Sequence, residues 1–231
     1  MNKLVTFMQA ATGTDRETFS QAILELARTR LIAAIGAEAL TVNLVCLPPP
    51  NLPYRPPSDP NAGKTPEYDV ILESWSARPA REVAIDLRKA VAAQSGSFHA
   101  YAVTHTTIYD RRPFPRGQPS DGIKLIGRLM FHADLPDSAA RRSWQLHAGL
   151  AGRVHVGSAI YAQNWVDAAI GAECPPARGF PIMHFPTDKD FFEDFVDSPR
   201  GMEEIIQDTS HFIAGGPRFY TTEYIIRNVA R

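Results

Sequence analysis

Apolar side chains recur along this chain in two rhythms, every second residue or every third and fourth, and the places where the rhythm changes divide it into short elements. Residues 3–9 alternate as a strand. Thr14-Asp15-Arg16-Glu17 has the Thr-x-x-Glu form of a capping box and opens a helix with Phe19, Ile23, Leu26 and Ala27 at helical spacing, which Gly36 ends. Residues 40–47 and 68–75 are β-branched and apolar enough for two strands. An amphipathic helix is predicted over 80–93, with Val83, Leu87, Ala90 and Val91 on one face, and a long strand over 98–109. From residue 123 the order returns: a strand over 123–132, a helix from Pro136 and Asp137 to about 152, and strands over 158–166 and 180–185. A two-part helix over 188–212, broken at Ser198-Pro199, and a strand over 218–226 complete it.

Strand, helix, strand, strand, helix, strand, written twice, predicts an α+β fold: two tandem ferredoxin-like βαββαβ repeats. Each sheet has one face covered by its own helices. Packing the two uncovered faces together closes a pseudo-symmetric α+β barrel within one chain and leaves a pocket between helix and sheet in each half. The expected division is a first repeat over 1–110, a linker over 111–122 rich in Pro and Gly, and a second repeat over 123–231. The proline-rich insert 48–66 has neither the donors for a sheet nor a helical period, and is expected to cover a pocket mouth, pack on a neighbour or form a surface loop.

Charge narrows the partners. The 231 residues carry 24 Lys and Arg against 25 Asp and Glu, without a long basic run, so nothing marks a nucleic-acid or anionic membrane surface. The N-terminal apolar stretch is too short for a signal-peptide core and no window resembles a membrane span, which leads to the expectation of a cytoplasmic protein, monomeric or homo-oligomeric, acting on a small hydrophobic metabolite. Cys46 and Cys174, the two cysteines, lack the close spacing of a metal knuckle or redox pair.

Candidate chemistry gathers in the second half. Helical spacing sets Trp144, His147, Ala148 and Ala151 on one stripe, so His147 faces the sheet, either as a proton carrier in a pocket or as a core histidine bonded to a carbonyl. Tyr161, Gln163 and Trp165 share a strand face, as a pocket wall or as packing. His184, alternating with Ile182, is a candidate to meet His147 across the sheet or to sit at a strand end. Asp208 and His211, at i and i+3, are candidates for a base and its orienter, with Asp208 more simply an anchor for the chain before the last strand and Phe212 a core plug beside it. His132 and His155 complete five histidines in this half, which raises a metal or haem site, but none forms a close ligand pair and no metal or organic cofactor is expected. His99 and His105 share a face in the first half. No phosphate loop or Gly-x-Ser-x-Gly elbow is present.

Trp144-x-x-His147, Tyr161-x-Gln163-Asn164, the segment 190–195 from Asp190 to Phe195, and Asp208 to Phe212 occur in an order that resembles the EthD-like family of the dimeric α+β barrel superfamily, over about residues 123–226. The first half departs from the pattern, with Leu26 or Ala27 where His147 would sit, so a family-type site is expected in the second half alone. The resemblance implies cofactor-free isomerases, lyases, cyclases or small monooxygenases of hydrophobic metabolites. The resulting expectation is a cofactor-independent acid/base enzyme of lyase, isomerase or cyclase type acting on an aromatic or ketone-bearing metabolite. In it His147 moves the proton, Tyr161 or His184 stabilises the oxygen, and Trp144, Trp165, Phe185 and Phe212 form an apolar wall. The alternatives are a non-catalytic small-molecule-binding or accessory protein for a degradative oxidoreductase and, third, a cofactor-free oxygenase.

Overall fold

The computed structural model describes residues 1–54, 65–112 and 118–228. The first half runs β1 (Asn2–Ala10), α1 (Arg16–Leu26), a π-helical turn (Ala27–Leu31), α2 (Ile32–Ile35), β2 (Ala39–Cys46), β3 (Val70–Ser76), α3 (Ala80–Val91) and β4 (Ser95–Asp110). The second runs β5 (Ile123–Gly127), β6 (Met130–Phe131), α4 (Asp137–Val154), β7 (Ile160–Ile170), β8 (Gly179–Phe185), α5 (Asp188–Phe192), α6 (Pro199–Ser210), β9 (Ile213–Gly215) and β10 (Arg218–Arg227).

Eight strands close a barrel in the order β1-β3-β2-β10-β5-β8-β7-β4, with every neighbouring pair antiparallel. The same internal order therefore appears twice, β4-β1-β3-β2 and β10-β5-β8-β7, and the seams are β2 with β10 and β4 with β7. This is the pseudo-symmetric ferredoxin-like α+β barrel that the repeated pattern predicts. Closure leaves no free edge in the barrel to template aggregation.

Alternation divides the strand residues between two environments. Outward-facing Leu4, Met8, Leu40, Val42, Val70 and Leu72 meet Phe19, Ile23, Leu31 and Leu87 from the first-half helices, and this packing fills the space where a first-half pocket was expected. Inward-facing Phe7, Tyr101, Phe180 and Phe219, joined by Tyr68, pack ring against ring at 5.1–5.9 Å and plug one end of the barrel. At the other end the inward-facing residues are ions, Lys3, Glu73, Lys124 and Glu223, all buried.

Several sequence expectations are corrected locally. Asp15, one residue after Thr14, caps α1: its carboxylate accepts from the Thr18 amide. The α1–α2 helix then ends where Gly36 takes φ +62°, a left-handed turn that a side chain resists. The strand expected over 123–132 is two, because the chain leaves the barrel after Gly127 and β6 pairs with β9 in a separate two-stranded sheet. Of the insert, residues 55–64 lie outside the described ones, as do 113–117 of the linker. Cys46 and Cys174 are both free thiols. Among the described residues no helix is long and apolar enough to cross a membrane.

Candidate functional site

Between α4 and α6 and the outer face of the second-half strands lies a cavity of about 330 Å³, its wall largely apolar side chains that include Leu125, Met183, Phe195 and Ile205. Trp144, His147 and Ala151 reach it from α4 because they lie on the helix's buried stripe. Tyr161 reaches it from β7 by the outward phase of the alternation.

His147 Nδ1 lies 2.6 Å from Asp208 Oδ2 on α6. An ionised carboxylate only accepts, so Nδ1 carries the proton and donates it, and Nε2 is left as a bare acceptor on a ring that lines the cavity. Burial lowers the imidazole's pKa while Asp208 pulls the other way, and the net shift is downward. The acceptor form therefore persists to lower pH than in a free histidine. Its ring meets Tyr161 and Phe212 at centroid distances of 6.3 and 5.8 Å.

Tyr161 supplies the complementary group. Gln163 Nε2 donates to the Trp144 carbonyl at 2.6 Å and to Tyr161 Oη at 3.0 Å, which uses both amide protons and leaves the phenol's own proton free to point elsewhere. Burial raises the Tyr161 pKa, so the phenol stays a donor. One acceptor and one donor are thus set in a largely apolar wall. His155, at the C-terminal cap of α4, also lines the cavity and donates its Nδ1 proton to the Phe195 carbonyl at 2.8 Å.

The remaining sequence candidates lie elsewhere. His184 is on the inner barrel face, since Met183 takes the outward position, and so does not meet His147 across the sheet. His211 is exposed at the C-terminal cap of α6, and the Asp208 carboxylate binds His147 in its place. Trp165 stacks on Phe131 at 5.6 Å, with Arg141 and Arg178 guanidinium carbons 5.5 and 5.9 Å from its ring, next to the cavity and outside it. Phe185 packs on Phe191 and Phe195, and Phe212 lies between His147 and Phe131. These three support the wall from behind. Among the described residues no group of three or more His, Cys, Asp or Glu is placed to hold a metal ion.

Sequence reading missed the α6 face. Met202, Ile205, Ile206 and Thr209 all line the cavity, and their i, i+3, i+4, i+7 spacing is a signal that identifies them. Tyr54 carries no such signal. It comes from the proline-rich insert of the first half, lines the second-half cavity and has its ring centre 5.2 Å from the Arg218 guanidinium carbon, so the insert contributes one side chain to the cavity wall among the described residues.

Gly179 sets the wall's position. A Cβ there would stand 2.4 Å from the Trp144 ring, so only a glycine at the start of β8 admits the indole. Gly179→Ala is expected to cost about 1–3 kcal/mol, read as a lower urea midpoint, with a changed near-ultraviolet tryptophan signal. A wild-type midpoint and spectrum would contradict this packing.

No family model and no curated protein matches the chain. Solved structures do. One is named a candidate monooxygenase from Lactobacillus acidophilus NCFM, at 13% identity over 98% of this chain and 96% of that one, with a TM-score of 0.55. Another is an anthrone oxidase-like protein, at 11% identity over 99% and 94%, with a TM-score of 0.55. A third is named a candidate monooxygenase from Fusobacterium nucleatum, at 9% identity over 98% and 92%, with a TM-score of 0.56. These names are of oxidoreductases, which overturns the expected lyase, isomerase or cyclase. At such identities the likeness is one of fold, and the chain has the barrel-forming ferredoxin-like architecture of these monooxygenase-type structures.

Proposed function

We propose that this protein binds a small, mostly apolar, oxygen-bearing molecule in the cavity between α4, α6 and the sheet, as a binding or accessory protein to oxidative metabolism. One observation carries the reading: an apolar cavity holds two oriented polar atoms, the His147 acceptor and the Tyr161 donor. A phenol or enol donates to Nε2, a ring carbonyl accepts from the phenol, and the surrounding side chains exclude water. The second-half motifs support placing the chain with the EthD-like branch, and on this reading the second repeat supplies the polar pair while the first completes the barrel and adds Tyr54 to the wall.

A second reading is an oxidation of the bound molecule in the same cavity, favoured by the His147–Asp208 pair. A neutral imidazole whose Nδ1 proton is held by a carboxylate accepts a proton from an acidic O–H or activated C–H, and the resulting anion gives up electrons more readily.

Anthrone, taken from the name of one fold relative, is a suitable flat ketone probe. Ala151→Phe, which fills the cavity, is expected to weaken its binding on the order of 100-fold, and His147→Ala about tenfold, the worth of one oriented hydrogen bond. Calorimetric titration reads both, and unchanged affinity in Ala151→Phe defeats the binding site. Dioxygen uptake with anthrone separates the readings. Uptake at the buffer rate supports the accessory role, and catalysed uptake lost in His147→Ala supports oxidation.

A further inference from the structure

The ion-lined end of the barrel lies on the other side of the sheet from the cavity described above. Lys3 Nζ meets Glu73 Oε2 at 2.7 Å, Lys124 Nζ bridges Glu73 Oε1 and Glu223 Oε1 at 2.5 Å each, and Arg112 NH1 holds both Glu223 oxygens at 2.8 and 2.6 Å. Arg112 also binds Asp110, at 2.9 Å. Lys3, Glu73, Lys124 and Glu223 have side-chain exposures of 4% or less. Beside them is a cavity of about 550 Å³, lined in part by Glu73, Asp110, Arg112, Lys124, Glu223 and Trp75.

An eight-stranded barrel has room either to fill its interior with side chains or to hold one small ligand. Here the aromatic plug does the first at one end, and at the other the described residues enclose a cavity. Packing alone does not account for the ions, because apolar residues of similar volume fill such a space at equal or lower free energy.

The polar groups define what fits. Among the described residues three cations, Lys3, Lys124 and Arg112, face three anions, Glu73, Glu223 and Asp110, so an occupant with net charge adds an uncompensated ion to a largely buried network. Among the described residues Lys124 spends two of its three N–H bonds and Arg112 four of its five, leaving one donor on each. Glu73 Oε2 accepts one bond among the described residues, and Glu73 is part of the cavity wall. A hydroxyl group both donates and accepts, so each one can serve either kind of group without bringing a charge. Trp75 adds a flat apolar surface: Lys3 Nζ lies 4.4 Å from its ring centre, and the indole is part of the cavity wall.

We propose that the polar end of the barrel is a second binding site, for a small net-neutral polyhydroxylated molecule of monosaccharide or cyclitol type, held with its hydroxyls among the Lys124, Arg112 and Glu73 side chains and its ring against Trp75.

Three tryptophans give three indole N–H signals in an ¹H–¹⁵N spectrum, one at this site and two beside the helix–sheet cavity. Trp75→Phe assigns the first. Titration with D-glucose and myo-inositol is expected to move the Trp75 signal saturably and leave those of Trp144 and Trp165 in place. Gluconate and glucosamine, each charged, are expected to bind at least about tenfold more weakly. Thr107→Trp, at an exposed position that also lines this cavity, is expected to abolish the Trp75 response while leaving thermal stability and anthrone binding unchanged. The proposal fails if the Trp75 signal stays fixed with all four probes, if only the other two indoles respond, or if the charged probes bind as tightly as the neutral ones. It fails equally if Thr107→Trp, still folded, responds like the wild type.

Discussion

Acidification from pH 6.5 to 4 is expected to remove much of this protein's stability. His155 and His184 are both buried, at 7% and 1% exposure, and burial pushes each imidazole's pKa down from 6.5 to about 4. Between those values the unfolded chain binds a proton at each position that the folded one refuses, so stability is fully present above pH 6.5 and falls as pH drops toward 4. At about 1.4 kcal/mol per pH unit, each histidine accounts for about 3 kcal/mol across that window. Together they approach the whole unfolding free energy of an ordinary domain, about 5–15 kcal/mol. Desolvation leads at both sites, and the neighbours differ: the Phe195 carbonyl favours the charged form of His155, while at His184 Glu223 favours it and Lys124 and Arg112 oppose it. Urea unfolding at pH 7, 5.5 and 4.5 tests this. His155→Gln, which keeps a donor for the Phe195 carbonyl, is expected to flatten the slope and leave the part due to His184 and to His105, whose imidazole burial also lowers to about 4, and a stability independent of pH over this range would refute the assignment.

Removing one member of the buried ion chain is expected to have an effect of similar size. Lys124 lies between Glu73 and Glu223, and Lys124→Met leaves two buried carboxylates facing each other without the cation that bridges them, with Lys3 and Arg112 balancing them only from their far sides. The expected loss is about 3–5 kcal/mol, or a fall in Tm on the order of 10 °C. Adding Glu73→Gln to Lys124→Met is expected to recover part of the loss, because it removes a charge that the first substitution stranded. Two losses that simply add would mean that the three side chains do not act as a unit. Thermal melts of the two single variants and the double variant decide this.

Apart from His155, which caps α4 beside the helix–sheet cavity, both predictions rest on inward-facing residues, which is where the sequence was least informative. The outer faces were legible: apolar stripes on α3 and α4, and alternation in β7, put Val83, Leu87, His147 and Tyr161 on the sides they occupy. His184 shows the limit. Its alternation with Ile182 correctly grouped the two on one face, but nothing in a strand's period says which face looks out. Met183 took the cavity side because Leu125 on β5, its cross-strand partner, faces the same way. In the same way Asp208 has several histidines within reach along the chain, and only the packing of α4 on α6 selects His147.

What the chain determined alone, then, was local and periodic: element types, their order, the twice-written topology that closes an α+β barrel, and the helix that presents His147. Tertiary structure decided which distant residues share a face and a neighbour. Tyr54 became a wall of a cavity built by the other half of the chain, and Lys3, Glu73, Lys124 and Glu223, on four strands, became one ion chain. The reason is physical. Hydrophobic periodicity is set by each segment's own backbone geometry, whereas the pairing of buried charges and the shape of a cavity depend on strand register and closure, which no segment specifies by itself.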